Sequence, residues 1–173
     1  GCTTGADNVA VGAFALDAAL TGSYNTAVGS YCLGGNTTGA SNVAVGYNAL
    51  PANTTASNNV AIGSGSMESN QTGTSNVAVG RGTLANITAS NNNTAVGDNA
   101  LNDNTTGAQN TAVGTNASDA TTTGTENTAL GYDALGNNTT GGYNVALGSR
   151  TLNASSTASN NVAVGYGALS PTT

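Results

Sequence analysis

The sequence predicts an all-β chain, a parallel β-solenoid of ten coils with 17 residues in each. Three observations lead there. The first is a strict repeat: Asn-Val/Thr-Ala-Val-Gly recurs with its asparagine at Asn8, Asn25, Asn42, Asn59, Asn76, Asn93, Asn110, Asn127, Asn144 and Asn161, always 17 residues apart. A fixed short period of this kind signals stacked structural units. The second is the alternation inside the motif, which has the period of a strand. The third is the length of that strand: three or four residues cannot stand alone and must pair with the same strand of the next unit. Coils stacked at ~4.8 Å would build a rod of roughly 48 Å.

Each unit is numbered here from its asparagine. Position 2 is Val or Thr, residues suited to a pleated surface. Position 3 is Ala in every unit, and position 4 is Val, Ile or Leu. Positions 2 and 4 share one face and Ala takes the other. We expect positions 2 and 4 inside, with the Leu of position 9. The alanines, Ala44, Ala61, Ala78 and Ala95 among them, would then sit outside, where small side chains let neighbouring chains pack closely. The glycine of position 5 ends the strand where the backbone needs positive φ or close approach.

Position 8 is small and position 9 is Leu, apart from Met67 and Ser118. A small residue followed by an inward Leu predicts a second short strand per coil. Positions 10 and 11 form a turn, and the only prolines, Pro51 and Pro171, fall there. Positions 12 to 15 read Asn-Thr-Thr-Gly in the most regular copies, such as 36–39, 104–107 and 138–141. The asparagine of position 1 should form a ten-high ladder of structural amides. The whole chain, 1–173, reads as one solenoid, without capping coils of its own, so it stacks end to end or is a slice of a longer rod.

Composition removes several functions. Two arginines and a net charge of −6 cannot neutralise a phosphate backbone, which argues against nucleic acid. No apolar run approaches the ~20 residues that span a bilayer. Histidine, the commonest general base, is absent, and so is Lys. The acids Asp7, Asp17, Glu68, Asp98, Asp103, Asp119, Glu126 and Asp133 fall on scattered repeat positions. The chain therefore reads as a non-enzyme that needs no cofactor or metal. Cys32 replaces a small core residue, while Cys2, ahead of the first unit, could bridge to another subunit by a disulfide.

Two sets of residues suggest surface chemistry. The triplets at Asn36, Asn53, Asn70, Asn104 and Asn138, with Thr37, Thr54, Thr105 and Thr139, read either as turn chemistry or as a glycan-bearing edge. Tyr31, Tyr47, Tyr132 and Tyr166 fall at the variable positions 6 and 7, where aromatic rings could stack on sugars or pack between chains.

The run Asn59-Val60-Ala61-Ile62-Gly63, with a small residue and Leu or Met following, resembles the head repeats of YadA-like trimeric autotransporter adhesins. The likeness covers residues 8 to 169, and similar repeats occur in phage tail fibres and secreted bacterial fibre proteins. The resemblance implies a left-handed parallel β-roll, a homotrimer, and an adhesive role at a cell surface. The 17-residue unit is longer than the usual head coil, which puts trimerisation in question. The expected function is thus a structural or adhesive subunit of an extracellular fibre, packing side by side or head to tail. Its expected partners are further copies of itself and host or matrix glycans. A phage tail-fibre shaft on the virion surface is the alternative. An ice-binding rod is a remoter one, resting on the threonine row Thr38, Thr55, Thr72, Thr106, Thr123, Thr140 and Thr157, which breaks at Ala89.

Overall fold

A computed structural model describes residues 4–18, 20–154 and 156–170. Ten three-residue strands are stacked in chain order as one parallel sheet. They are β1 (Val9–Val11), β2 (Thr26–Val28), β3 (Val43–Val45), β4 (Val60–Ile62), β5 (Val77–Val79), β6 (Thr94–Val96), β7 (Thr111–Val113), β8 (Thr128–Leu130), β9 (Val145–Leu147) and β10 (Val162–Val164). Each residue pairs with the one a full unit away, as Ala44 does with Ala61 and Ala61 with Ala78. The chain is a β-solenoid with one unit per coil, as its period predicts.

The facing of the strand reverses the expectation. Ala27, Ala44, Ala61, Ala78 and Ala95 are fully buried, while Ala10 of the first strand is exposed, and positions 2 and 4 point outward. The core is a single layer in which these alanines pack with Leu33, Leu50, Met67, Leu84, Leu101 and Leu135. The inward Leu of position 9 is as predicted. It fills the space opposite the strand, which leaves room for only a methyl group at position 3.

The predicted second strand is absent among the described residues. Positions 7 and 9 take left-handed backbone in coil after coil, as at Tyr31 (φ 63°) and Leu33 (φ 49°), and two such residues so close cannot extend. The segment is a chain of corners. Its N–H groups still bond the neighbouring coils: Tyr31 donates to the carbonyl of Ala13 at 2.9 Å and Leu33 to that of Ala49 at 3.2 Å. Left-handed backbone at a leucine costs roughly 1–2 kcal/mol. Full burial of that side chain returns about 1.5–3 kcal/mol, so burial prevails.

The glycine of position 5 satisfies two demands at once. Gly63 has φ +127°, and a Cβ there would lie 2.4 Å from the carbonyl oxygen of Gly80. Backbone conformation and close approach of coils both exclude a side chain.

Two columns of buried asparagine close the coil. The Asn42 backbone N–H and Nδ2 donate to Oδ1 of Asn25 at 3.0 and 3.1 Å, and Nδ2 also donates to the carbonyl of Ala56 at 2.9 Å. That carbonyl accepts a second amide, Asn53 Nδ2 at 3.1 Å. Position 15 thereby ties the asparagine that opens its unit to the turn that closes it. Cys32 is buried and unpaired, in keeping with a small core residue. Cys2 lies outside the described residues.

Candidate interaction surface

The outward residues of the ten strands form two parallel rows. One carries Val or Thr from Val9 to Val162, the other Val, Ile or Leu from Val11 to Val164. Stacking at ~4.8 Å makes each side chain cover its neighbours, so most are half-buried within a continuous apolar strip. Val28, Ile62 and Leu130 stand out further, at 37%, 38% and 48% exposure. Sequence alternation identified this pair of rows but put it inside.

The alanines proposed to pack between chains, Ala44, Ala61, Ala78 and Ala95, cannot do so. Each has no exposed surface because it faces the leucine layer. The surface available for packing is the opposite face of the same strands.

The proposed N-glycan asparagines are also corrected. Asn36, Asn53, Asn70, Asn104 and Asn138 are fully buried. Their Nδ2 groups donate to the position-15 carbonyl of their own coil, as Asn36 does to Gly39 at 2.9 Å. A sugar on that nitrogen would displace the bond and the core around it. The accompanying threonines are committed too. Thr37 donates to the carbonyl of Thr54, Thr54 to Gln71, Thr105 to Thr122, and Thr139 to Ser156. These hydroxyls tie coils together. The next row, Thr38, Thr55, Thr72, Thr106, Thr123, Thr140 and Thr157, is exposed, with Ala89 in its gap.

Tyr31, Tyr47, Tyr132 and Tyr166 are exposed, by 45%, 61%, 48% and 79%. Two groupings exist among them. Near the first coils, Phe14 stacks on Tyr31 with centroids 5.0 Å apart, and Tyr47 meets Tyr31 edge-on at 6.1 Å. Near the last coils, the Arg150 guanidinium lies 5.8 Å from the Tyr132 ring centre and 4.0 Å from the Asp133 carboxylate.

The acids are less scattered in space than in sequence. Burial, repulsion from Asp133 and a smaller repulsion from Asp103 raise the Asp119 carboxyl above its ordinary range, against two opposing backbone hydrogen bonds. Among the described residues, no three His, Cys, Asp or Glu side chains gather as a metal site. No helix among them is long and apolar enough to cross a membrane. Comparison with family models, with curated proteins and with solved structures finds no match for this chain.

Proposed function

We propose that this chain is a structural and adhesive segment of an extracellular fibre, in which copies lie side by side along the Val/Thr face. The observation that carries this is the two-sided apolar character of the sheet. Parallel sheets are normally covered on both faces. Here the alanine face is covered by the chain's own leucines, and the other face is a strip of Val, Ile, Leu and Thr running through every strand. A contiguous apolar strip on a surface marks an interaction site. A second copy fits it because the partner would repeat the same step along the same axis. The likeness to adhesin head repeats supports the same assembly and an extracellular setting.

End-to-end stacking can add to it. Leu169 is 62% exposed, whereas Leu33 to Leu135, its equivalents in inner coils, are buried. A further coil in register, from this chain or another copy, would cover it.

Sedimentation and electron microscopy of the purified chain test the proposal. Rods associated laterally are expected at about 100 μM or below, given an interface of ordinary size. Replacing Val77 and Val79 together by Glu sets like charges across the face and should leave single folded rods. A wild-type chain that stays monomeric at that concentration overturns the side-by-side reading.

A further inference from the structure

A groove of about 270 Å³ runs along the rod over the first three coils. One wall is the position-7 column, Phe14, Tyr31 and Asn48, and the other is the position-10 column, Asp17, Gly34 and Pro51. From Asn48 onward, side chains bridge these columns at several places. Asn48 Nδ2 donates to Glu68 Oε1 at 2.9 Å, Asn102 Nδ2 to the Gly82 carbonyl at 2.7 Å, and Asn153 Nδ2 to Asp133 Oδ2 at 2.6 Å.

Gly34 is the residue that leaves the groove open. It occupies the repeat position of Asn102 and has no side chain to reach across. A Cβ at Gly34 would lie 3.4 Å from the Phe14 carbonyl oxygen and 3.5 Å from that of Tyr31. Neither carbonyl accepts a hydrogen bond from any described residue. In coil five the equivalent carbonyl, on Gly82, is the acceptor for Asn102. The groove thus offers two backbone acceptors between walls made of aromatic rings and a proline ring.

We propose that this groove binds a neutral saccharide, with sugar hydroxyls donating to the Phe14 and Tyr31 carbonyls and the sugar's C–H groups lying against the side of the Phe14–Tyr31 stack. This deepens the adhesive reading and rests on it. The acceptors call for a ligand rich in O–H donors. The absence of a cationic side chain from the lining, in a chain of net charge −6, disfavours an acidic sugar. A quaternary ammonium has no hydrogen to donate to the two carbonyls, so it would leave both without a partner. The volume is below the roughly 300–1,000 Å³ of drug-sized pockets, which suits one or two sugar rings.

Saturation-transfer NMR on the full chain tests it, with lactose, maltose, cellobiose and diacetylchitobiose as neutral probes. A chondroitin disaccharide and tetramethylammonium serve as the anionic and cationic probes. At least one neutral disaccharide should bind. Tyr31→Ala and Gly34→Asn should each weaken it by about tenfold or more. The second variant rebuilds the bridge that Asn102 makes, so it should fold as the wild type does. Tyr143→Ala, on another edge, should leave binding unchanged. Three results overturn the proposal: no neutral probe bound at about 10 mM, binding indifferent to Gly34→Asn, or binding of only the charged probes. Sedimentation of the same samples separates this outcome from the fibre reading, because Gly34→Asn leaves the Val/Thr face intact and the Val77/Val79 double variant leaves the groove intact.

Discussion

Asn76 and Asn59 are joined by two bonds to one oxygen: the backbone N–H of Asn76 lies 2.9 Å from Asn59 Oδ1, and its Nδ2 lies 3.4 Å from the same atom. Asn76 in turn accepts both amides of Asn93, at 2.9 and 3.2 Å, and donates to the Ser90 carbonyl at 2.8 Å. Every hydrogen-bonding group of this fully buried side chain is used.

Asn76→Asp should therefore be severe. It keeps the acceptors but loses both donors, and it buries a carboxylate against two oxygens. A cost of about 3 kcal/mol or more at neutral pH is expected from an uncompensated buried charge. The sign with pH follows. Burial and the facing oxygens raise the folded-state pKa of the new carboxyl, so the penalty is present above that pKa. It shrinks as pH falls and the protonated group regains a donor. Urea unfolding across pH checks this, and a penalty that is flat or grows on acidification would contradict the geometry.

Two neighbouring glycines should respond oppositely to substitution. Gly63→Ala places a methyl group against the next coil's backbone at unfavourable φ, and a loss of about 3 kcal/mol or more is expected. Gly65 has φ +65°, and only the end of the Glu68 side chain, at 3.6 Å, lies near its missing Cβ. Asn occupies the same repeat position at Asn48, Asn99 and Asn116, all with left-handed backbone. Gly65→Asn should be neutral or stabilise by up to about 1 kcal/mol. Thermal unfolding of the two variants side by side decides it.

Ser118 and Thr121 form a matched exception. Ser118 replaces the core leucine, Thr121 replaces the buried asparagine, and their hydroxyls lie 2.9 Å apart. Thr121 also donates to the Asn138 carbonyl at 3.0 Å. Restoring both repeat residues, Ser118→Leu with Thr121→Asn, should stabilise the rod by about 1–2 kcal/mol through leucine burial. The two sites should couple by about 0.5 kcal/mol or more in a double-mutant cycle. Strictly additive single variants would dissolve the pairing.

Asp119→Asn should raise the unfolding temperature at neutral pH. The folded-state carboxyl is raised by burial first and Asp133 second, so ionising it weighs against the folded state. Its penalty is present above the raised pKa and disappears as pH falls below the ordinary carboxylate range, at pH ~4. Thermal melts of the variant and the wild type should therefore converge on acidification.

The sequence carried the period, the register and the structural amide ladder, because each depends on which residues recur and not on where they point. Facing was harder. Alternation states that Val60 and Ile62 share a side and Ala61 takes the other, but either side can be the core. The usual preference for Val over Ala inside points the wrong way, since the leucine layer leaves room for one methyl group. The invariance of Ala was the available clue: a residue that never grows marks a space that cannot. The corners at Tyr31 and Leu33 were not legible, because left-handed backbone contradicts the intrinsic preference of both residues and is imposed by burial at Leu33 and by bonds to the adjoining coils at both. Gly34 looked like an ordinary turn residue until its neighbours in other coils showed the bridge it omits.

The asparagine ladder has a consequence for heredity. Its bonds reach only the adjoining coils, so removing or duplicating one inner unit in frame hands each amide an equivalent partner and strands none. Length becomes a counted quantity, adjustable by slippage within a repetitive gene. A lineage could retune how far such a rod extends without redesigning a single contact, while any insertion that is not a whole unit would shear the ladder at that coil.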